Sequence, residues 1–144
     1  MSDTSHKDTI EFAGDYNLSE IVLHNHEGEG VTSDKKGHDI KKVTHELNIY
    51  ESIYKNAMTG SIVITDTTNL IANLPLQGTE TLSFKVSTPG TSKAEHIIDA
   101  SQRSGHPYHI YKLTNKRQMG PGMLMYTLHF GSREFFRNIR TRVS

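Results

Sequence analysis

Apolar and polar residues alternate with a period of two through several stretches of this chain, and each stretch predicts a strand with one buried face. From Ile40 to Tyr50, Val43, His45, Leu47 and Ile49 point one way while Lys42, Thr44, Glu46 and Asn48 point the other. In Thr81 to Val86, Leu82, Phe84 and Val86 share a face, and in Met123 to Phe130 the core side carries Leu124, Tyr126, Leu128 and Phe130. One wet face per strand fits an antiparallel sheet; strands sandwiched between helices would read as continuous apolar runs. After His106-Pro107, Tyr108, Ile110 and Lys112 alternate against His109, Tyr111 and Leu113, with bulk on both faces, which predicts a central strand. Ser19 to His24 and the β-branched run Ser61 to Thr65 are further strands, and Ile97-Ile98 is read as a short strand paired with what precedes it.

Breaks in this pattern place the connections. Asn56 to Gly60 supplies the Asn and Gly of a hairpin loop, so the strand before it is expected to fold back onto Ser61 to Asp66. Glu51-Ser52 interrupts the apolar parity, which a bulge would absorb. Asp66-Thr67-Thr68 offers caps to a short helix through Leu70, Ile71 and Leu74, stopped by Pro75 and Gly78. Asn115 to Gly122 reads as a second hairpin loop. At the end of the chain, Ser132 is a plausible cap and Phe135, Ile139 and Val143 recur at helical spacing, predicting a helix that covers an open face of the sheet. The expected core is Ile49, Ile62, Ile64, Leu70, Leu74, Leu82, Phe84, Leu124, Leu128, Phe130 and Phe135. The fold class is therefore mainly β with α (α+β), an antiparallel barrel or sandwich with a short helix after the central hairpin and a C-terminal helix. Residues 1–9 read as a flexible tail and 10–144 as one domain. Residues 25–39, glycine-rich and charged, form a long exposed loop, either a contact arm that orders on assembly or a mobile excursion.

Composition narrows the chemistry. Lys and Arg total 16 and Asp and Glu 16, so the chain lacks the overall basic footprint of a dedicated nucleic-acid binder. With no cysteine there is neither a disulfide framework nor a thiolate metal site. No apolar run approaches a membrane span, so a soluble protein made in the cytosol is expected. Among nine histidines, His24-x-His26 followed by Glu27 is the best ligand constellation, yet no HExxH motif or acidic cluster accompanies it. A surface or interface role is expected there, with no metal and no cofactor, and His45 is expected in the core. No nucleophile motif is present, so no enzyme is expected. Gly28-Glu29-Gly30 is too acidic for phosphate. The one local charge bias is Arg133, Arg137, Arg140 and Arg142, offset only by Glu134, which favours solvent or a neighbouring subunit over nucleic acid.

The stretch ESIYKNAMTGSIVITDTTNLIANLPLQGTETLSF resembles the opening segment of baseplate hub proteins from contractile-tailed, myovirus-type bacteriophages, and the likeness returns in FGSREFFRNIRTRVS. The resemblance implies a structural virion protein: a tube-like domain of the tail-tube type, at the N-terminal part of a longer hub. That hub would be a trimer with two tube domains per subunit, giving a pseudo-hexameric ring between the tail tube protein and the central spike protein. It would assemble in the host cytoplasm, reside in the tail baseplate, and meet DNA only as lumen cargo. On this reading Ile53, Tyr54, Ala57 and Met58, near the Glu51 to Gly60 turn, are expected subunit contacts, with Arg133, Arg137 and Arg140 as further candidates. The opposing reading folds Ile53 and Tyr54 under the Leu70 to Leu74 helix and leaves Met58 as a stray surface methionine. The alternative function is a ligand- or carbohydrate-binding β-sandwich module using the 25–39 loop and Tyr50, Tyr54, Tyr108 and Tyr111 as a stacking surface, although it has no tryptophan.

Overall fold

The computed structural model describes residues 9–25, 38–73, 78–90, 97–101, 104 and 106–140. The expectations for the 1–8 tail, His26 through Gly30, Leu74, Pro75, Arg142 and Val143 lie outside the described residues. The strands are β1 (Asn17–His24), β2 (His38–Asp39), β3 (Thr44–Tyr50), β4 (Thr59–Asp66), β5 (Thr81–Ser87), β6 (Ile97–Asp99), β7 (Tyr108–Gly120) and β8 (Met123–Gly131). Two short helices, α1 (Leu70–Asn73) and α2 (Arg133–Arg140), follow β4 and β8. All pairings are antiparallel, in the order β2-β1-β5-β7-β8-β4-β3, with β6 added to β5.

This order forces the sheet to curl. Its end strands β2 and β3 are neighbours in sequence, joined through a 3-10 turn at Lys41–Val43. In a flat sheet six strand spacings would separate them by about 29 Å, whereas the chain from Asp39 to Thr44 reaches about 18 Å at most. The link is tied down: Ile40 N donates to Ile21 O at 3.1 Å and Thr44 Oγ1 to Ile40 O at 2.8 Å. Ile40 itself is buried, and the turn packs on both β1 and β4. No ladder joins β2 to β3 among the described residues, so the sheet is curled but open. A corner lies between β5 and β7, which share only the pairs Thr81↔His109 and Leu82↔Tyr108; farther along, the same edge of β5 is taken by β6.

The concave face holds the core, with Ile21 and Leu23 from β1, Ile62 and Ile64 from β4, and Leu82 and Phe84 from β5. Tyr108 and Ile110 come from β7, and Tyr126, Leu128 and Phe130 from β8, with Ile40, Leu70 and Ala100 closing the rest. At the corner Phe84 stacks on Tyr108 (centroids 5.2 Å), and both meet Phe130, at 5.7 and 5.4 Å. Of the expected core, Ile49 and Leu124 are half-buried at its margin. Phe135 is a correction: it packs over Gly131 on the opposite, convex face.

Bulges account for the other departures from simple alternation. β3 shifts register between Thr44 and Glu46, leaving His45 without a cross-strand partner and exposed, so it is not a core histidine. The irregularity expected at Glu51-Ser52 is thus found earlier, inside the strand. In β7 a shift between Ile110 and Lys112 changes the inward set from Tyr108 and Ile110 to Leu113, which pairs with Leu128. Two further shifts, at Thr114/Arg117 and Gln118/Gly120, carry β7 through the stretch read as a loop; the connection itself is only Pro121-Gly122, with Gly122 at φ 70°. Gly60, expected in a turn, lies inside β4 opposite Phe130. Asp66 starts α1 as expected, its carboxylate accepting from Thr68 N at 3.0 Å and Ile71 N at 3.3 Å.

Candidate assembly surface

The loop joining β3 to β4, residues 51–58, is ordered from within. Lys55 N donates to Ser52 O at 3.0 Å and Tyr54 N to Ser52 Oγ at 3.3 Å, closing a four-residue turn with Ile53 and Tyr54 at its centre. Central turn residues project outward, and these two are 93% and 91% exposed. They therefore do not fold under α1.

The loop's return limb is clamped to the body. Met58 and Ser132 exchange backbone and side-chain bonds: Ser132 N donates to Met58 O at 2.9 Å and Met58 N to Ser132 Oγ at 3.3 Å. Tyr108 donates its hydroxyl to the Met58 sulfur at 3.2 Å, and Asn138 Nδ2 donates to Asn56 Oδ1 at 2.6 Å. Burial, with the Glu134 and Glu51 charges, pushes the Tyr108 phenol up and keeps it a donor. Met58 is half-buried against the core and Ala57 is half-buried beside it. These two anchor the loop from below, and Ile53 and Tyr54 are the large apolar residues of its exposed tip.

Arg133 and Arg137 lie exposed on α2, and Arg140 is its last residue. Arg133 and Arg137 line a groove of about 440 Å³ with Gly78, Thr79, His109 and Phe136. Arg133 also borders a smaller cavity of about 220 Å³ toward Asn56, Met58 and Tyr108. The Glu134 carboxyl is held below its ordinary value by its own backbone N–H first, then by Ser132, His106 and Arg137. The loop tip and the arginines are thus joined through one helix, since Ser132 and Asn138 hold the loop while Arg133 and Arg137 face the groove.

The two longest open strand edges among the described residues belong to β3 and β7. β3 pairs only with β4, and β7 beyond Ile110 pairs only with β8. The free stretch of β7 exposes Tyr111, Lys112, Lys116 and Arg117, whereas the β3 side exposes Glu46, Tyr50 and Glu51. Sequence reasoning missed the β7 edge because its residues carry turn chemistry; the cue available was the spacing of Lys112, Lys116 and Arg117, cations of the kind that protect edges.

The four tyrosines of the carbohydrate reading do not make one platform. Tyr50 and Tyr54 are exposed, Tyr108 is in the core, and Tyr111 stands beside Phe135 and Phe136 of α2. His24 is buried on the convex face of β1, both ring nitrogens lacking a hydrogen-bond partner; burial holds its pKa down against an opposing pull from Glu20. Among the described residues no three His, Cys, Asp or Glu side chains converge as metal ligands. Comparison with protein families and with curated proteins gives no match.

Proposed function

We propose that this chain is a structural assembly module, a tube-like domain of a phage baseplate hub that builds a ring between tail tube and central spike. The observation that carries the reading is the exposed pair Ile53 and Tyr54 on a loop whose base is hydrogen-bonded to the body, beside the free edge of β3. A monomer gains nothing from holding two large apolar side chains in water on an ordered turn. A partner gains about 1.5–3 kcal/mol from covering each of them, before the cost of association.

The second free edge, on β7, supports a head-to-tail arrangement. A contact between two different edges of identical chains closes into a ring when the rotation permits. The β7 edge carries Lys112, Lys116 and Arg117 and β3 carries Glu46, so a β7–β3 contact sets opposite charges together where a β7–β7 contact would set like ones. The resemblance to hub proteins supplies the ring's identity: a trimer with pseudo-hexameric symmetry in the virion baseplate, acting without catalysis or cofactor.

The test is an Ile53→Asp/Tyr54→Asp double variant, with both residues changed at the tip and Met58 left intact. Sedimentation should show loss of the oligomer, or of docking to a tube ring, with an unchanged unfolding midpoint. Assembly equal to wild type would sink the proposal. A wild type that stays monomeric at high concentration and fails to bind tube or spike would sink it as well.

A further inference from the structure

The underside of α2 rests on an unusual surface for a helix. Phe135 and Phe136 lie over the convex face of β7 and β8, where Phe136 meets His109 edge-on (5.6 Å) and Tyr111 (6.0 Å). Phe135 meets Tyr111 at 5.3 Å, and Tyr111 in turn stands 6.3 Å from His129. A Cβ added at Gly131 would lie 2.8 Å from the Phe135 ring, so the aromatic ring sits directly on the strand. The helix contributes eight residues, with Ile139 facing water, and is held largely by these ring contacts and the Asn138–Asn56 bond.

A cation stands beside each imidazole, Arg133 by His109 and Lys112 by His129. His109 has Thr81 and Gly131 as strand partners and faces Phe136, Arg133 and Arg137 across the groove. His129 pairs with Ser61 and Lys112, and its Nε2 shares a 2.8 Å hydrogen bond with Thr114 Oγ1. The nearby carboxylates are engaged elsewhere: Glu134 with its own N–H and Ser132, and Glu80 with Gly78 N at 2.9 Å. Neither imidazole has a carboxylate hydrogen-bonded to it among the described residues, so a proton arriving on either ring adds a cation beside another.

We propose that the contact between α2 and the sheet is a pH-dependent latch: protonation of His109 and His129 loosens the helix from the convex face while the core beneath remains folded. The core aromatics Phe84, Tyr108 and Phe130 lie on the concave face and do not depend on either imidazole. Both histidines are held below the ordinary value, first by burial, then by Arg133 for His109 and by Lys112 for His129. His109 lies against Phe136 and beside Arg133 of α2, and His129 reaches the helix through Tyr111, so the docked helix binds fewer protons than the released one, chiefly at His109. Docking is at full strength above about pH 6.5, the ordinary histidine value, and weakens as pH falls through the window down to the depressed docked values.

Hydrogen exchange of the whole protein at pH 7.5 and 5.5, corrected for intrinsic rates, tests this. Exchange across α2 should rise relative to β4 and β8 at the lower pH, in the direction set by the lowered imidazoles. A His109→Gln/His129→Gln double variant should lose that pH dependence, at whatever level of protection remains at pH 7.5 once the His109–Phe136 contact is gone. Should the variant fold poorly, NMR titration of the wild-type imidazoles decides. Values for both rings at or above those of a free histidine overturn the latch, as does an equal loss of protection in α2 and in the strands.

Discussion

Gly60→Ala is the sharpest test of how the sheet is packed. Gly60 lies within β4 at an ordinary backbone φ, outside the left-handed region, so the chain itself would accept alanine. The obstacle is space. A methyl group there would collide with the backbone oxygen of Asn48 on β3 and with the ring of its cross-strand partner Phe130. The oxygen belongs to an edge ladder, and the ring is held between Phe84 and Tyr108 at 5.7 and 5.4 Å, so neither can yield alone. Overpacking of this kind costs about 1–3 kcal/mol, and disturbing two aromatic contacts adds about 0.5–1.5 kcal/mol for each. The reduced freedom of the unfolded chain returns about 0.4–1 kcal/mol. The net expectation is a loss of about 2–4 kcal/mol, read from the midpoint of urea unfolding at constant slope. Gly120→Ala is the control: its φ is also ordinary and its Cβ would meet nothing within 4 Å, so it should be neutral or stabilising. A Gly60→Ala protein within 0.5 kcal/mol of wild type would refute the packing described for β3, β4 and β8.

Two further outcomes follow from the core and the buried imidazoles. Phe84→Ala empties the centre of the corner trio and should cost about 3–5 kcal/mol in denaturant unfolding; a loss below about 1 kcal/mol would show that the corner is not close-packed. His24 is buried with both ring nitrogens unpartnered and its pKa lowered by burial, so the folded state resists its protonation. Its contribution to stability is full above about pH 6.5 and falls away below it, toward the depressed folded value. His24→Phe should be neutral or stabilising at pH 7.5 and should flatten the acid limb of a stability–pH profile; an unchanged acid limb would show that His24 does not carry it.

Alternation is a property of a strand's own backbone, and for that reason β5 and β8 were legible from their residues alone. Leu82, Phe84, Leu128 and Phe130 face inward as their spacing requires. Local chemistry was equally sufficient for Asp66 at the start of α1 and for the helix after Ser132, because capping is settled within a few residues. Other features needed a partner strand to exist. Whether His45 points to core or water depends on the bulge that β4 imposes on β3, and the switch of inward residues in β7 depends on its register with β8. Turn-like residues from Asn115 to Gly120 became strand because β8 lies beside them and tolerates the shifts. Gly60 reads in isolation as a turn residue; it is a strand residue whose missing side chain makes room for Phe130. The exposure of Ile53 and Tyr54, with Met58 drawn inward to Tyr108, was likewise decided by the tertiary structure. A sequence specifies which residues share a face, but which face meets water is settled only when non-neighbouring segments, here β3, β4 and the loop clamped by α2, come together.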